Sequence, residues 1–458
     1  MKGVEEKTFD LTIGRVRQTL IQYALPLVVM NLMQSLYSMA DLLISGHFIG
    51  SRGISGINNS SQVMLLVTQI AIGLSQGGNI LIGQFFGARE EEARKETTNT
   101  LFYSFMILSL ATAILLRTFA SSMLMALGAP AYGESLAYLR ICTIGTMFIF
   151  GYNALVAAVR GVGGLPAADA GSSSFLPART IVLDILFVGG LKMGTAGAGL
   201  ATVIAQGISF VLILVHVLRS RDVFGICIRH PQIQLKRFAR ILALGIPCAI
   251  QMSLAGLSWL TVTRYINHYG VAASAGGGVA AKIKDFCLLF TLAISSATST
   301  MVAQTLGADK YSRAKEILYE AMKITMLASM VLIVAVEAGA PLLVRLFTRE
   351  ADVAAVAVQN LRIEMIGQIF YAIFMIYHGF ALGAGHTWFV LLSSFVNCIL
   401  VRVVLVILLD QALGLTGVFL ACMIAPASSV PIGICYVKSG IWRKKLKLID
   451  DIYITRDI

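Results

Sequence analysis

Two aspartates, Asp41 and Asp184, sit inside apolar runs: Ser38-Met39-Ala40-Asp41-Leu42-Leu43-Ile44 and Ile181-Val182-Leu183-Asp184-Ile185-Leu186-Phe187. A carboxylate inside a membrane span is costly and marks a functional site by default. If the two runs leave the membrane near His47 and Gly190, each acid lies roughly 9 Å inside at ~1.5 Å per helical residue. The next span starts near Thr195 and runs back inward, which puts Thr202 roughly 10 Å deep. Thr180 lies one helical turn below Asp184 on the same face. Two carboxylates and two hydroxyls at one depth suit an oxygen-lined Na⁺ site. Alternatively the acids share a proton, because a like-charged neighbour raises one of the two pKa values. The plainer alternative gives each Asp its own unrelated partner, or a water-filled vestibule. Gln34 and Asn153, in the first and fourth spans, could line a substrate cavity; hydrogen bonding between helices accounts for them equally well.

The elements that must position these residues are membrane helices. Of the 458 residues, 57% are hydrophobic and 13% charged, against about 25% charged in a soluble domain. Apolar runs of span length recur at about 18–46, 57–82, 99–118, 134–158, 172–190, 196–218, 239–265, 276–302, 318–338, 355–380, 388–409 and 415–437. The expected fold class is an all-α integral membrane protein of twelve helices. The first run has no small-residue cleavage site, so it reads as a span and not as a removable signal. Lys and Arg crowd one set of loops, among them Arg89, Arg94, Lys95, Arg219, Arg221, Lys236, Arg237, Lys310 and Arg313, and also the tail from Lys438 to Lys447. Cytoplasmic loops carry that excess, so both termini are expected inside. This bias accounts for the net charge of +12, and a nucleic-acid partner is unnecessary. The cysteines lie mostly in apolar runs and form no C-x-x-C pair, which suits small buried hydrophobes. No P-loop is present. No cofactor is expected, and pumping would draw on an H⁺ or Na⁺ gradient.

The chain also repeats itself. Ala24-Leu25-Pro26 recurs as Gly245-Ile246-Pro247, 221 positions later (247 against 26). Gly83-Gln84-Phe85-Phe86-Gly87-Ala88 recurs as Ala303-Gln304-Thr305-Leu306-Gly307-Ala308, and Gly194-Thr195-Ala196-Gly197 as Gly414-Leu415-Thr416-Gly417. Two copies of one six-helix bundle point to a transporter, because alternating access needs two halves that rock about a central site. The expected division is an N-lobe at 1–218, a cytoplasmic linker at 219–238, a C-lobe at 239–440 and a basic tail at 441–458. The repeat is also an internal control. Asp41 pairs with Val262, Asp184 with Arg402 and Thr202 with Cys422, so a cation site at this place belongs to the first half alone. Arg402 could meet an anionic group, pair with Glu364, or snorkel to the outer surface. Lys282, Lys284 and Asp285 read as local charge pairing, and His378 as structural.

These residues together resemble the multidrug and toxic compound extrusion (MATE) transporters. The resemblance rests on Ala24-Leu25-Pro26, Asp41-Leu42-Leu43-Ile44-Ser45-Gly46, Gly83-Gln84-Phe85-Phe86-Gly87-Ala88, Arg160-Gly161-Val162-Gly163 and Gly194-Thr195-Ala196-Gly197-Ala198, and covers roughly 12–440. It implies two six-helix lobes and export of organic, often cationic, compounds in exchange for Na⁺ or H⁺. In the DinF-like branch the cation site lies in the N-lobe: an Asp in helix one, an Asn and an Asp one turn apart in helix five, and a Thr in helix six. Asp41, Asp184 and Thr202 match, and Thr180 stands at the Asn position. The branch with a C-lobe site has a Glu in helix seven and an Asp in helix ten, which this chain lacks, although Glu364 is nearby. After Gly163 the family usually reads Asp-Ser-Lys-Thr-Pro, then an apolar helix ending in Asn-x-x-x-Asp. Here Gly164–Thr180 is foreign in composition, with Pro177 inside the expected fifth helix, and the pattern resumes at Ile181. Such a block between intact flanks is the mark of a compensated reading-frame shift or of a genuine variant.

The expected function is therefore a cation-coupled antiporter, a monomer in the bacterial plasma membrane, surrounded by membrane lipid and carrying drugs or other small organic cations. A flippase for a lipid-linked precursor shares the broad architecture but needs a strongly cationic cavity for its pyrophosphate headgroup. A membrane enzyme would need paired His and acidic residues at one face, and the six His are scattered. The charge bias makes a direct prediction: reporter fusions at the N- and C-termini should both read cytoplasmic. An external C-terminus would require an odd number of spans.

Overall fold

With no water in the hydrocarbon layer, a spanning segment has to close its own backbone hydrogen bonds, and apolar runs of this length can do so only as helices. The computed structural model describes residues 10–126, 131–164, 182–183, 185–226 and 232–443, with the backbone alone for 37–55 and 126. Among these residues the regular secondary structure is all helix, joined by turns and short irregular links. The main helices are α1 (Val16–Gly87), α2 (Glu91–Ala126), α3 (Tyr132–Gly161), α4 (Gly194–Arg219), α5 (Leu235–His268), α6 (Val271–Gly307), α7 (Tyr311–Arg345), α8 (Ala351–Ile366), α9 (Gln368–Gly383), α10 (Thr387–Phe395), α11 (Val404–Leu413), α12 (Leu415–Ile424) and α13 (Ser429–Ser439). Ten helical stretches are long and apolar enough to cross a membrane, two of them within α1 (Val16–Leu36 and Gly56–Gly87). The bent pair α8 and α9, with 49° between them, makes an eleventh. These coincide with eleven of the twelve predicted spans. The other, 172–190, and with it the block around Pro177, falls largely outside the described residues. Large apolar side chains stand outward: Ile107, Leu110, Ile114 and Leu115 on α2 are 57–63% exposed. An apolar stripe of that kind marks a contact surface.

The chain divides into two compact units, and the division cuts two helices. Val29–Ala249 forms the first unit; Leu11–Val28 belongs with the chain from Ile250 onward. The opening part of α1 thus packs with the second half, and the opening part of α5 with the first. Polar contacts fasten both. In the first unit Arg237 donates to Glu96 at 2.5 Å, to Thr97 at 3.2 Å and to Gln234 at 2.7 Å. In the second, Arg313 donates to the carbonyls of Leu11, Ile13 and Gly14, and Lys310 to that of Thr12.

The repeat seen in the sequence is a repeat of structure. α1 ends at Gly87 and α6 at Gly307, and each is followed by a residue with left-handed backbone, Arg89 (φ 60°) and Asp309 (φ 58°). The closing bonds match as well: Glu90 N–H to Phe85 O at 2.9 Å, and Lys310 N–H to Thr305 O at 3.0 Å. Gly194 and Gly414 stand at the start of the last span of each half at φ 58° and 61°. A π-helical segment precedes each: Ile185–Gly190 in one half and Val396–Val403 in the other.

Within the first unit α1 and α5 approach closely enough to need small residues. A Cβ on Gly77 would lie 2.2 Å from Ile241 O, and one on Gly73 2.4 Å from Ala249 Cα. From the other side, a Cβ on Gly245 would meet Leu74 O at 2.5 Å. Small residues four apart on each helix let backbones meet in the way membrane helix pairs favour. Gly77→Val should therefore force the helices apart, at about 1–3 kcal/mol or more. Thermal unfolding in detergent should show a clear loss for Gly77→Val and almost none for Gly256→Ala, where the added Cβ meets open space.

Candidate functional site

The expected N-lobe residues fare unequally. Asp41 lies on the helical backbone of α1, but its side chain is outside the described residues, as are Asp184 and Thr180. Thr202 is on α4, half-buried, and its hydroxyl donates to Ala198 O at 3.0 Å. Asn153 is half-buried on α3, and its amide donates to Ile149 O at 2.8 Å. Both side chains satisfy a polar group against their own helix, as membrane hydroxyls and amides commonly do. Each keeps oxygen lone pairs that these bonds do not use. Gln34 is exposed on α1. Around Thr202 the helices interlock. Tyr138 and Cys142 of α3, Val188 of the π segment and Ala198 of α4 share one buried cluster, with Ile57 and Met64 against it.

The second half repeats one contact of that cluster. With Asp184 aligned on Arg402 and Gly194 on Gly414, Val188 corresponds to Val406 and Ala198 to Val418. Val406 and Val418 pack together, and the same cluster holds Val262 and Cys422. Those last two residues stand where the first half has Asp41 and Thr202. The positions scattered through the repeat are thus neighbours in the half whose side chains are fully described.

Charge has a different arrangement in this half. Lys284 of α6 forms an ion pair with Glu364 of α8, their side chains 12% and 7% exposed. The expectation of local pairing among Lys282, Lys284 and Asp285 is corrected here: Lys284 reaches across to another helix. Arg402 neither snorkels nor pairs with Glu364. It is 5% exposed, its Nη1 lies 3.5 Å from Ser258 Oγ, and its guanidinium stands 5.3 Å from the Trp259 ring centroid. Lys284 Nζ lies at the same 5.3 Å from that ring. Repeat order alone pairs Arg402 with an acid and says nothing of Trp259. The signal that was available is an Arg, a Lys and a Glu at mid-span in helices of one lobe. His378 is buried, its ring 3.9 Å from that of Phe374, in keeping with a structural role. Just outside the spans, burial holds the His386 imidazole below its usual pKa, and its Nδ1 lies 2.7 Å from the Tyr436 hydroxyl.

The MatE family profile matches the chain twice, over residues 26–166 and again over 247–408. The chain belongs to the MATE family. The two matches begin at Pro26 and Pro247, the first pair of repeat anchors. Among curated relatives, the probable multidrug resistance protein YpnP of Bacillus subtilis is 25% identical over 97% of this chain and 100% of its own length. The probable multidrug resistance protein YoeA of the same organism is 25% identical over 75% of this chain and 76% of its own. The multidrug export protein MepA of Staphylococcus aureus is 22% identical over 92% and 93%. An outward-facing multidrug resistance MATE family transporter of the MOP superfamily superposes with a TM-score of 0.87, covering 96% of this chain and 98% of that one at 20% identity. At that identity the likeness is one of fold: twelve transmembrane helices in two pseudo-symmetric six-helix bundles. As a MATE protein the chain is a multi-pass membrane transporter and not an enzyme.

In this transporter the Lys284–Glu364 pair makes a thermodynamic prediction. Removing one partner leaves a buried charge alone, whereas removing both does not. Lys284→Met should cost about 3 kcal/mol or more. Adding Glu364→Leu to that variant should recover most of the loss. Thermal unfolding of the purified protein in detergent reads both; a double variant as unstable as the single one would show the pair is not closed on itself.

Proposed function

We propose that this MATE protein exports drugs or other small organic compounds, cationic or neutral, in exchange for H⁺ or Na⁺. The coupling site of this reading lies in the N-lobe, as in the DinF-like branch, with Asp41 and Asp184 as its acids and Thr202 and Thr180 as hydroxyl partners. The observation that carries it is the buried cluster of the second half, where the counterparts of Asp41 and Thr202, Val262 and Cys422, share one core. The matching contact in the first half, Val188 against Ala198, supports a common level for Asp184 and Thr202. Val188 lies one turn beyond the first of these, and Ala198 one turn before the second. The relatives, two probable multidrug resistance proteins and a multidrug export protein, support drugs as the cargo. Gln34 and Asn153 line the substrate path in this reading.

The mechanism is exchange. Outward-open protein takes a proton or Na⁺ at the acidic pair. The neutralised pair favours a different helix arrangement and releases substrate outward; closure then exposes the site to the cytoplasm. An ion shifts such an equilibrium only by its differential affinity for the two states. In this arrangement the protein is a monomer in the plasma membrane of a bacterium, with both termini in the cytoplasm.

Asp41→Asn nearly keeps the shape and removes the charge. The variant should fold and reach the membrane, and substrate should still bind. Its dye efflux from vesicles should lose the response to an imposed H⁺ or Na⁺ gradient, falling from the roughly 5–150-fold range of allosteric coupling to no effect. Asp184→Asn should behave alike, and Glu364→Gln should be milder. Gradient-driven efflux at the normal rate by Asp41→Asn protein would falsify the N-lobe site and move attention to Glu364.

A further inference from the structure

The C-lobe buries one more positive charge than it neutralises. Lys284 is taken by Glu364. Asp285, exposed on the same helix, has Lys282 and Lys284 as its charged neighbours. The direct contacts of Arg402 are neutral: the Ser258 hydroxyl at 3.5 Å and the face of Trp259, a ring that the Lys284–Glu364 pair also approaches through Lys284. Ser258 itself donates to Cys398 O at 2.7 Å, so it offers the guanidinium only a lone pair at the limit of hydrogen bonding. The Nε of Arg402 is buried without a partner. So are both the amide nitrogen and the amide oxygen of Asn397, a residue with 0% exposure. Asn397 and Arg402 are five apart in the π-helical segment Val396–Val403. The i to i+5 bonding of a π-helix brings such residues onto adjacent turns of one face. A buried guanidinium without a counter-charge is unfavourable, and so is a buried amide with nothing to bond. An anion would accept from the guanidinium and from the Nδ2–H of Asn397, though not answer its amide oxygen.

We propose that the C-lobe binds a small monovalent anion between Arg402 and Asn397, beside Trp259. Its donors are the guanidinium N–H groups of Arg402 and the Nδ2–H of Asn397. A guanidinium fork matches a carboxylate in geometry and charge, and a halide would satisfy the same donors. The occupant is thus a carboxylate group, free or carried on a substrate, or chloride. The site is separate from the acidic pair of the N-lobe, and its test does not use transport.

Purified full-length protein in detergent, held in sodium sulfate, would be titrated with sodium chloride or with sodium acetate at constant ionic strength while its melting temperature is followed. A saturable rise is expected with at least one of the two. Acetate alone acting points to a carboxylate ligand, chloride alone to a halide, and either supports the site. Arg402→Gln should shift the half-saturating concentration upward by tenfold or more. Asn397→Asp places a carboxylate inside the site. It should raise the melting temperature without added anion and abolish the response to both salts. Should Arg402→Gln fail to fold, Asn397→Asp and Asn397→Ala still decide the matter, since the alanine variant should weaken the response without the rise. No saturable effect of either anion on the unaltered protein, or an unchanged response in Asn397→Asp, would overturn the proposal.

Discussion

A polar group in hydrocarbon has no water to fall back on, and everything else in this molecule follows from that. Backbone amides and carbonyls close on themselves, so the apolar runs are helices. Short polar side chains return to the carbonyl one turn back: Thr143 to Leu139, Thr202 to Ala198, Thr298 to Ile294. A buried charge can find its partner on another helix, as Lys284 does in Glu364. The places where the helices themselves depart from α geometry are then informative. They are the π segments Ile185–Gly190 and Val396–Val403, the bend between α8 and α9, and the 3₁₀ turn Ala425–Ser428. Glu364 stands three residues before Gly367, where the bend falls, and Arg402 lies inside one of the π segments. Irregular backbone in a membrane is tolerated where protein covers it or a cavity is lined, and in transporters that is where ligands bind.

Duplication lets one scaffold carry two chemistries. The turns after Gly87 and Gly307 use the same left-handed residue, and the pairs Val188–Ala198 and Val406–Val418 pack alike. Upon this common frame the first half places Asp41, Asp184 and Thr202, and the second Val262, Arg402 and Cys422. An apolar pair and a guanidinium cannot hold a cation. The asymmetry underlies the proposed division of labour, with cation coupling assigned to the acidic half and the anion site to the basic one.

Two helices, α1 and α5, are each divided between the units. Pro26 lies close before Val28, and Pro247 close before Ala249, the residues at which the division cuts α1 and α5. Proline removes a backbone hydrogen bond inside a helix and loosens it there. Each of these helices belongs to both units, with a proline near its point of passage.

Much of this was legible in the chain before folding. Hydropathy determined the spans, because length against bilayer thickness is a one-dimensional property, and eleven of them stand where the apolar runs lie. The spacing of Pro26 and Pro247, and of Gly194 and Gly414, determined the duplication, because a repeated fold needs the same turns at the same places. The acids Asp41 and Asp184 stood out for their cost alone. What the sequence by itself left open was partnership. Arg402 had three readings, among them Glu364 and the membrane surface, and its position relative to Ser258 and Trp259 depends on the rotation of α5 against the π segment. Lys284 had Asp285 beside it in sequence, yet it pairs with a carboxylate 80 residues away. Those choices rest on which helix faces meet, a matter of tertiary packing and not of periodicity, and only the folded molecule decides them.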